Sequence, residues 1–198
     1  ETGVANITSV SFNGGSEAGT FRVGYTRDSR TGILPNSSVD RNVIDFNSSY
    51  NLTDKLTVNG KVTFTNKIGK GRYGTGYDSR NVMQSFRQWF QTNVDLKSQE
   101  TAYMNTRQNI TWNPNGFDAS VPGDLEPHYF DNPYWTLYEN YQNDERNRIF
   151  SVFSANYEVT DWLSAMVRAG VDNYTDLQEE RIAKVMAEQK LKKATQRV

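Results

Sequence analysis

At 198 residues, with a formal net charge of -1 and a mean hydropathy of -0.75, the chain has neither the basic balance of a polyanion binder nor a run of about eighteen apolar residues for a transmembrane helix. It contains no cysteine, which excludes disulfides, thiolate metal sites and cysteine nucleophiles. Low hydropathy leaves a membrane barrel open, because only alternate residues of its strands face lipid. The first residue is not an initiator Met, so the chain is expected to be a mature product or a piece of a longer one.

A strand pattern begins at Asn6–Phe12 and is broken at Gly14 to Gly19, glycines that suit a short reversal. Phe21, Val23 and Tyr25 restore the alternation, and a polar loop from Asp28 to Arg41, with turn-forming Gly32 and Pro35-Asn36, follows. The clearest stretch runs from Asn42 to Asn66. Ile44, Phe46, Tyr50 and Leu52 share one parity, as do Leu56, Val58, Val62 and Phe64, and Thr53-Asp54-Lys55 makes a tight antiparallel link. Each run is about ten to eleven residues long, the span that a tilted strand needs to cross a hydrocarbon layer.

The alternation then stops for roughly eighty residues, far beyond an ordinary loop. Gly69, Gly71, Gly74 and Gly76 suggest a flexible start to this segment, taken as 67–147. Val82, Met83, Phe86, Trp89 and Phe90 recur at helical spacing, with Ser79 as a cap, and Asn132-Pro133 has the cap-and-first-turn signature of a second helix. Between them, 105–130 reads as ordered but irregular. The strand period returns with Phe153, Ala155, Tyr157 and Val159, turns at Thr160-Asp161-Trp162, and continues through Leu163, Ala165, Val167, Ala169 and Val171. From Asp176 to Val198 the chain is charged and free of turn residues, with Ile182, Val185 and Met186 at helical spacing, so 176–198 is expected to be a helical or irregular tail.

The expected fold is all-β. About six antiparallel strands, with short reversals at one end and long connections at the other, match a segment of a transmembrane β-barrel with a long, partly helical extracellular loop. Arg22, Asp45, Lys61, Glu158 and Arg168 have the polar parity and are expected to line a wet interior, while the Phe46, Tyr50, Val58, Val62 and Phe64 parity is expected to be dry. Aromatics of the long segment are the candidates for substrate contact: Trp89, Trp112, Tyr134, Trp135 and Tyr138, together with Phe90. Flat rings stack on sugar faces, and the competing reading is that they pack the segment's own small core. The lone His128 gives no basis for a metal site or a triad, and the paired carboxylates lie next to each other in sequence, so no cofactor, metal or catalytic constellation is assigned.

Several segments resemble the SusC/RagA type of TonB-dependent outer-membrane transporter of Bacteroidota. They are Gly14-Gly15-Ser16-Glu17, Gly32-Ile33-Leu34-Pro35-Asn36, the turns Leu52-Thr53-Asp54-Lys55-Leu56 and Val159-Thr160-Asp161-Trp162-Leu163, Gly69-Lys70-Gly71, Asn81 to Phe90, Asp131-Asn132-Pro133-Tyr134-Trp135 and Glu139 to Asp144. The similarity spans Ile7 to Arg181. The resemblance implies a barrel of about twenty-two strands, of which this chain supplies about six, plugged by an N-terminal domain. It also implies a SusD-like surface lipoprotein as lid, TonB as the energy source acting through parts outside this chain, and an oligosaccharide or peptide as cargo. Location in the outer membrane, contact with its lipid and no nucleic-acid partner follow from the same resemblance. A soluble carbohydrate-binding β-domain using the same aromatics is the alternative.

Overall fold

The computed structural model describes residues 2–72, 74–78 and 81–183. Six strands, β1 (Ala5–Ser16), β2 (Gly19–Thr31), β3 (Ser38–Thr53), β4 (Leu56–Arg72), β5 (Gln142–Thr160) and β6 (Leu163–Glu180), form one antiparallel sheet in sequence order. Three helices, α1 (Val82–Gln88), α2 (Leu96–Thr106) and α3 (Pro133–Glu139), lie in the connection between β4 and β5. The fold is therefore all-β with a helical connection.

Alternation explains the strands, and the register aligns it across the sheet. Tyr25 lies opposite Ile44, Ile44 opposite Phe64 and Phe64 opposite Ile149, while Tyr50 pairs with Val58 and Val58 with Ala155. All these side chains share one face. Arg22, opposite Asn47, Lys61 in turn, and Asp45, opposite Gly24 and Thr63, share the other. Glu158 and Arg168 join that second face through β5 and β6. One face thus carries a continuous apolar band and the other is mostly polar, with Val43, Phe150, Val152 and Met166 scattered among its polar residues.

Neither face is covered within the described residues. Phe12 is 69% exposed, Phe153 56% and Val167 73%, although all three are large and apolar. Among the described residues the buried hydrophobic core is Val82, Tyr103, Trp135 and Leu137, every one of them in the connection. Among the described residues the sheet has no hydrophobic core beneath it. Its cohesion comes from the backbone ladder and from cross-strand pairs, each worth about 0.2–1 kcal/mol. On the apolar face, rings lie over glycines: Phe21 is paired with Gly14, Tyr50 with Gly19 and Phe153 with Gly60. A Cβ added at Gly14 or Gly19 would sit 2.5 or 2.6 Å from the facing ring, so these glycines leave the space that the rings occupy.

The three tight turns, Glu17-Ala18, Asp54-Lys55 and Asp161-Trp162, all fall at one end of the sheet, and the longer connections fall at the other. Each hairpin is offset from the one before. Gly19 of the first turn pairs with Tyr50, and β3 runs on to Thr53 before it turns; Leu56 pairs with Tyr157, and β5 runs on to Thr160. The overhang is tied down, since Asn51 N donates to Ala18 O at 2.7 Å and Glu158 N to Lys55 O at 2.9 Å.

At the opposite end, β4 continues past the apolar band to Arg72 and β5 already begins at Gln142, so the connection is shorter than 67–147. Gly69 and Gly71, read from the sequence as a flexible start, lie inside β4. Gly71 has φ +66°, and a Cβ there would stand 2.0 Å from the Asn36 carbonyl oxygen, so this bulge holds the β2–β3 turn against β4. Gly71→Ala should cost about 1–2 kcal/mol from the left-handed angle alone, plus the clash with backbone, and a lowered thermal midpoint would register it.

A second difference concerns the C-terminal segment. Asp176–Glu180 is strand, not helix, because Gln142–Arg146 offers a ladder partner and Arg146 holds Asp176 through its Nε and Nη2. The rest of the expected helix, with Val185, Met186 and Leu191, and the expected cap Ser79 lie outside the described residues.

Candidate functional site

The connection is held by asparagine side chains that stand in for regular backbone pairing. Asn132, fully buried, caps α3: its Oδ1 accepts from Tyr134 N at 2.8 Å and Trp135 N at 3.3 Å. Its Nδ2 donates to the carbonyls of Gln99 and Ile110 at 2.8 and 2.7 Å, and its backbone N–H donates to Asn109 Oδ1 at 2.9 Å. One side chain thereby fastens α2, the segment after it and α3. Asn113 works in the same way, accepting from Tyr129 N and Phe130 N at 2.9 and 2.8 Å. Asn81 and Asp95 cap α1 and α2.

This frame orders two aromatic groups. In the first, Phe130 lies between Trp89 (centroids 5.7 Å apart, 26°) and Trp112 (6.0 Å, 8°), and Phe90 meets Trp112 edge-on at 5.2 Å. In the second, Tyr138 stacks on Tyr103 at 5.4 Å, and Trp135, Tyr134 and Met104 close around Tyr103. The Tyr103 hydroxyl donates to Glu139 Oε1 at 3.0 Å, and burial pushes its phenol above the ordinary tyrosine range. Glu139 also receives Arg181, and Asn36 Nδ2 reaches the Leu137 carbonyl at 3.0 Å, so α3 is the link between the connection and the sheet.

The six aromatic candidates therefore do not converge. Trp112 is wedged in the first stack, and Tyr134, Trp135 and Tyr138 pack around Tyr103 in the second. Among them only Trp89 and Phe90 line a cleft of about 250 Å³, which they share with Tyr77, Tyr129, Phe130, Gln84 and Asp131. Trp89 and Tyr129 keep about half their surface free, at 51% and 56%. A flat ring pair beside an amide and a carboxylate can stack a sugar ring and read its hydroxyls. Tyr77, Tyr129 and Asp131 escaped the sequence reading because no periodicity marks them; only the fold of the connection brings them to Trp89.

The polar candidates do share a surface. Arg22, Asp45, Lys61, Glu158 and Arg168 all lie on the polar face of the sheet, and nearer the connection that face carries the ion pairs Arg146–Asp176, Arg148–Asp172 and Arg30–Asp28. His128 Nδ1 lies 3.0 Å from Asn115 Oδ1, and its ring meets Tyr129 edge-on. No protein-family model and no curated protein matches the chain.

Proposed function

We propose that the chain is a section of an outer-membrane TonB-dependent importer of the SusC/RagA type, taking up oligosaccharides or peptides together with a SusD-like surface lipoprotein. The observation that carries this reading is the uncovered apolar band on a sheet whose other face is polar. On β3 the band runs from Ile44 to Leu52 and on β5 from Ile149 to Val159. Those stretches measure about 26–33 Å along the strands.

The offset between hairpins supports the same reading. If the three tight turns lie at one level, an advance of two to three residues per hairpin tilts the strands by about 35–45°, the range of membrane barrels. That tilt reduces the band to about 20–25 Å, close to the lipid-facing height of such barrels. Short turns then face the periplasm, the helical connection faces outside, and the polar face lines the interior. Exposed edges of 12 and 18 residues, β1 and β6, suit continuation into further strands. A soluble sandwich would need a second sheet over the band, and all six described strands belong to one sheet.

Fractionation of cells that carry the protein in its native setting tests the proposal. Peptides of this chain should stay with the outer membrane after an alkaline wash. Recovery in the soluble fraction without detergent would overturn it. The cleft supplies a second check: Trp89→Ala should weaken oligosaccharide binding by about tenfold, whereas Tyr138→Ala should leave affinity unchanged and lower thermal stability. Calorimetric titration of the purified protein distinguishes the two.

A further inference from the structure

On the polar face, Arg41 lies opposite Lys67 and Lys67 opposite Arg146, so three cations stand side by side on adjacent strands. Like charges directly opposite each other destabilise a sheet. The acids that end this row are already engaged: Asp28 by Arg30 through two hydrogen bonds of 2.7 and 2.8 Å, and Asp176 by Arg146. Arg148 is likewise taken up by Asp172. Arg41 and Lys67, both exposed, make no ion-pair contact within 4 Å among the described residues, and feel Asp28 and Asp176 only at longer range.

Beside the row, a depression of about 480 Å³ opens at the end of β4. It is lined by Arg30, Lys67, Lys70 and Arg72, with Ile33 and Met83 among its apolar residues. Its one carboxylate, Asp144, faces Arg72 at 3.9 Å. The volume falls in the range that receives a small organic ligand.

We propose that Arg41 and Lys67 form a subsite for an anionic group of the imported substrate, the carboxylate or sulfate of an acidic oligosaccharide. This rests on the reading of the polar face as the importer's interior. The guanidinium offers a planar fork to two oxygens and the ammonium a movable point charge, a pairing that neutralises an oxyanion without fixing the rest of the ligand. The cation row, unfavourable in the empty sheet, is relieved when the anion arrives.

Because this chain has no cysteine, Thr65→Cys introduces its one thiol on the same face, next along β4 from Lys67, with every cation kept, and labelling is read on the peptide that carries it. The whole importer in outer-membrane vesicles is treated with a small water-soluble thiosulfonate, with and without trigalacturonate, a sulfated disaccharide, or neutral maltotriose. One of the two anionic probes should slow labelling by at least about fivefold, and maltotriose should not. Adding Arg41→Gln and Lys67→Gln should abolish the protection. Equal rates with and without both anionic probes would overturn the subsite. So would a thiol that is blocked before any sugar is added and is freed by the double substitution, since an acidic segment of protein would then occupy the row. Val62→Cys, on the apolar face, separates this from the underlying reading: if it labels and Thr65→Cys does not, the assignment of the faces fails instead.

Discussion

Replacing Asn132 with alanine is expected to open the connection between β4 and β5 while leaving the sheet formed, at a cost of about 3–5 kcal/mol. The cap of α3 is lost, and the carbonyls of Gln99 and Ile110 each lose a side-chain donor. Asn132→Asp makes the comparison sharp. A carboxylate caps a helix well but cannot donate, and here it would face two carbonyl oxygens, so it should be nearly as damaging as alanine. Hydrogen exchange should accelerate across α2 and α3 and stay slow in β3, β4 and β5. If the aspartate variant were as protected as the native chain, the cap alone would be the role of Asn132.

A charge set into the apolar band gives the second large effect. Val62 lies near its middle, opposite Phe46 and Ser151, and on the proposed membrane reading Val62→Arg should cost about 2–4 kcal/mol in the protein refolded into lipid vesicles. Thr63→Arg, one residue on and turned to the polar face, should cost close to nothing. Urea titration of the two variants in the same vesicles reads the difference. Equal costs would mean that lipid does not cover the Val62 face.

The three hairpins were legible because side-chain parity is itself the physical cause of a two-faced sheet: Ile44, Phe46 and Tyr50 alternate with Asp45, Asn47 and Ser49 in sequence as they do in space. Strand ends were not legible. Beyond the apolar band both faces of β4 and β5 are polar, as at Asn66, Lys67, Arg146 and Asn147, and alternation leaves no mark there although the ladder continues. The same loss of contrast hid the strand at Asp176–Glu180. Helix α2 gave no warning either, since Leu96–Thr106 has no apolar stripe and owes its place to the Asp95 cap and to Tyr103 packing under α3. Asn132-Pro133 was readable because its cap is local chemistry. Of the aromatics, composition marked Trp89 and Tyr138 alike. What separates them is long-range, namely whether Phe130 or Tyr103 waits beside them.

The repeated offset of the hairpins has an evolutionary reading. Each pair of strands meets the next with the same advance and the same carbonyl, Ala18 or Lys55, receiving the overhanging strand. A gene duplication that inserted or removed one hairpin would therefore restore the same step on both sides, without compensating changes in distant strands. Loss of a single strand would reverse the direction of every later strand and bring its long connections to the end that carries the tight turns. A sheet built on this step can change its girth only two strands at a time, and its long connections can diverge in length and content while that count is kept.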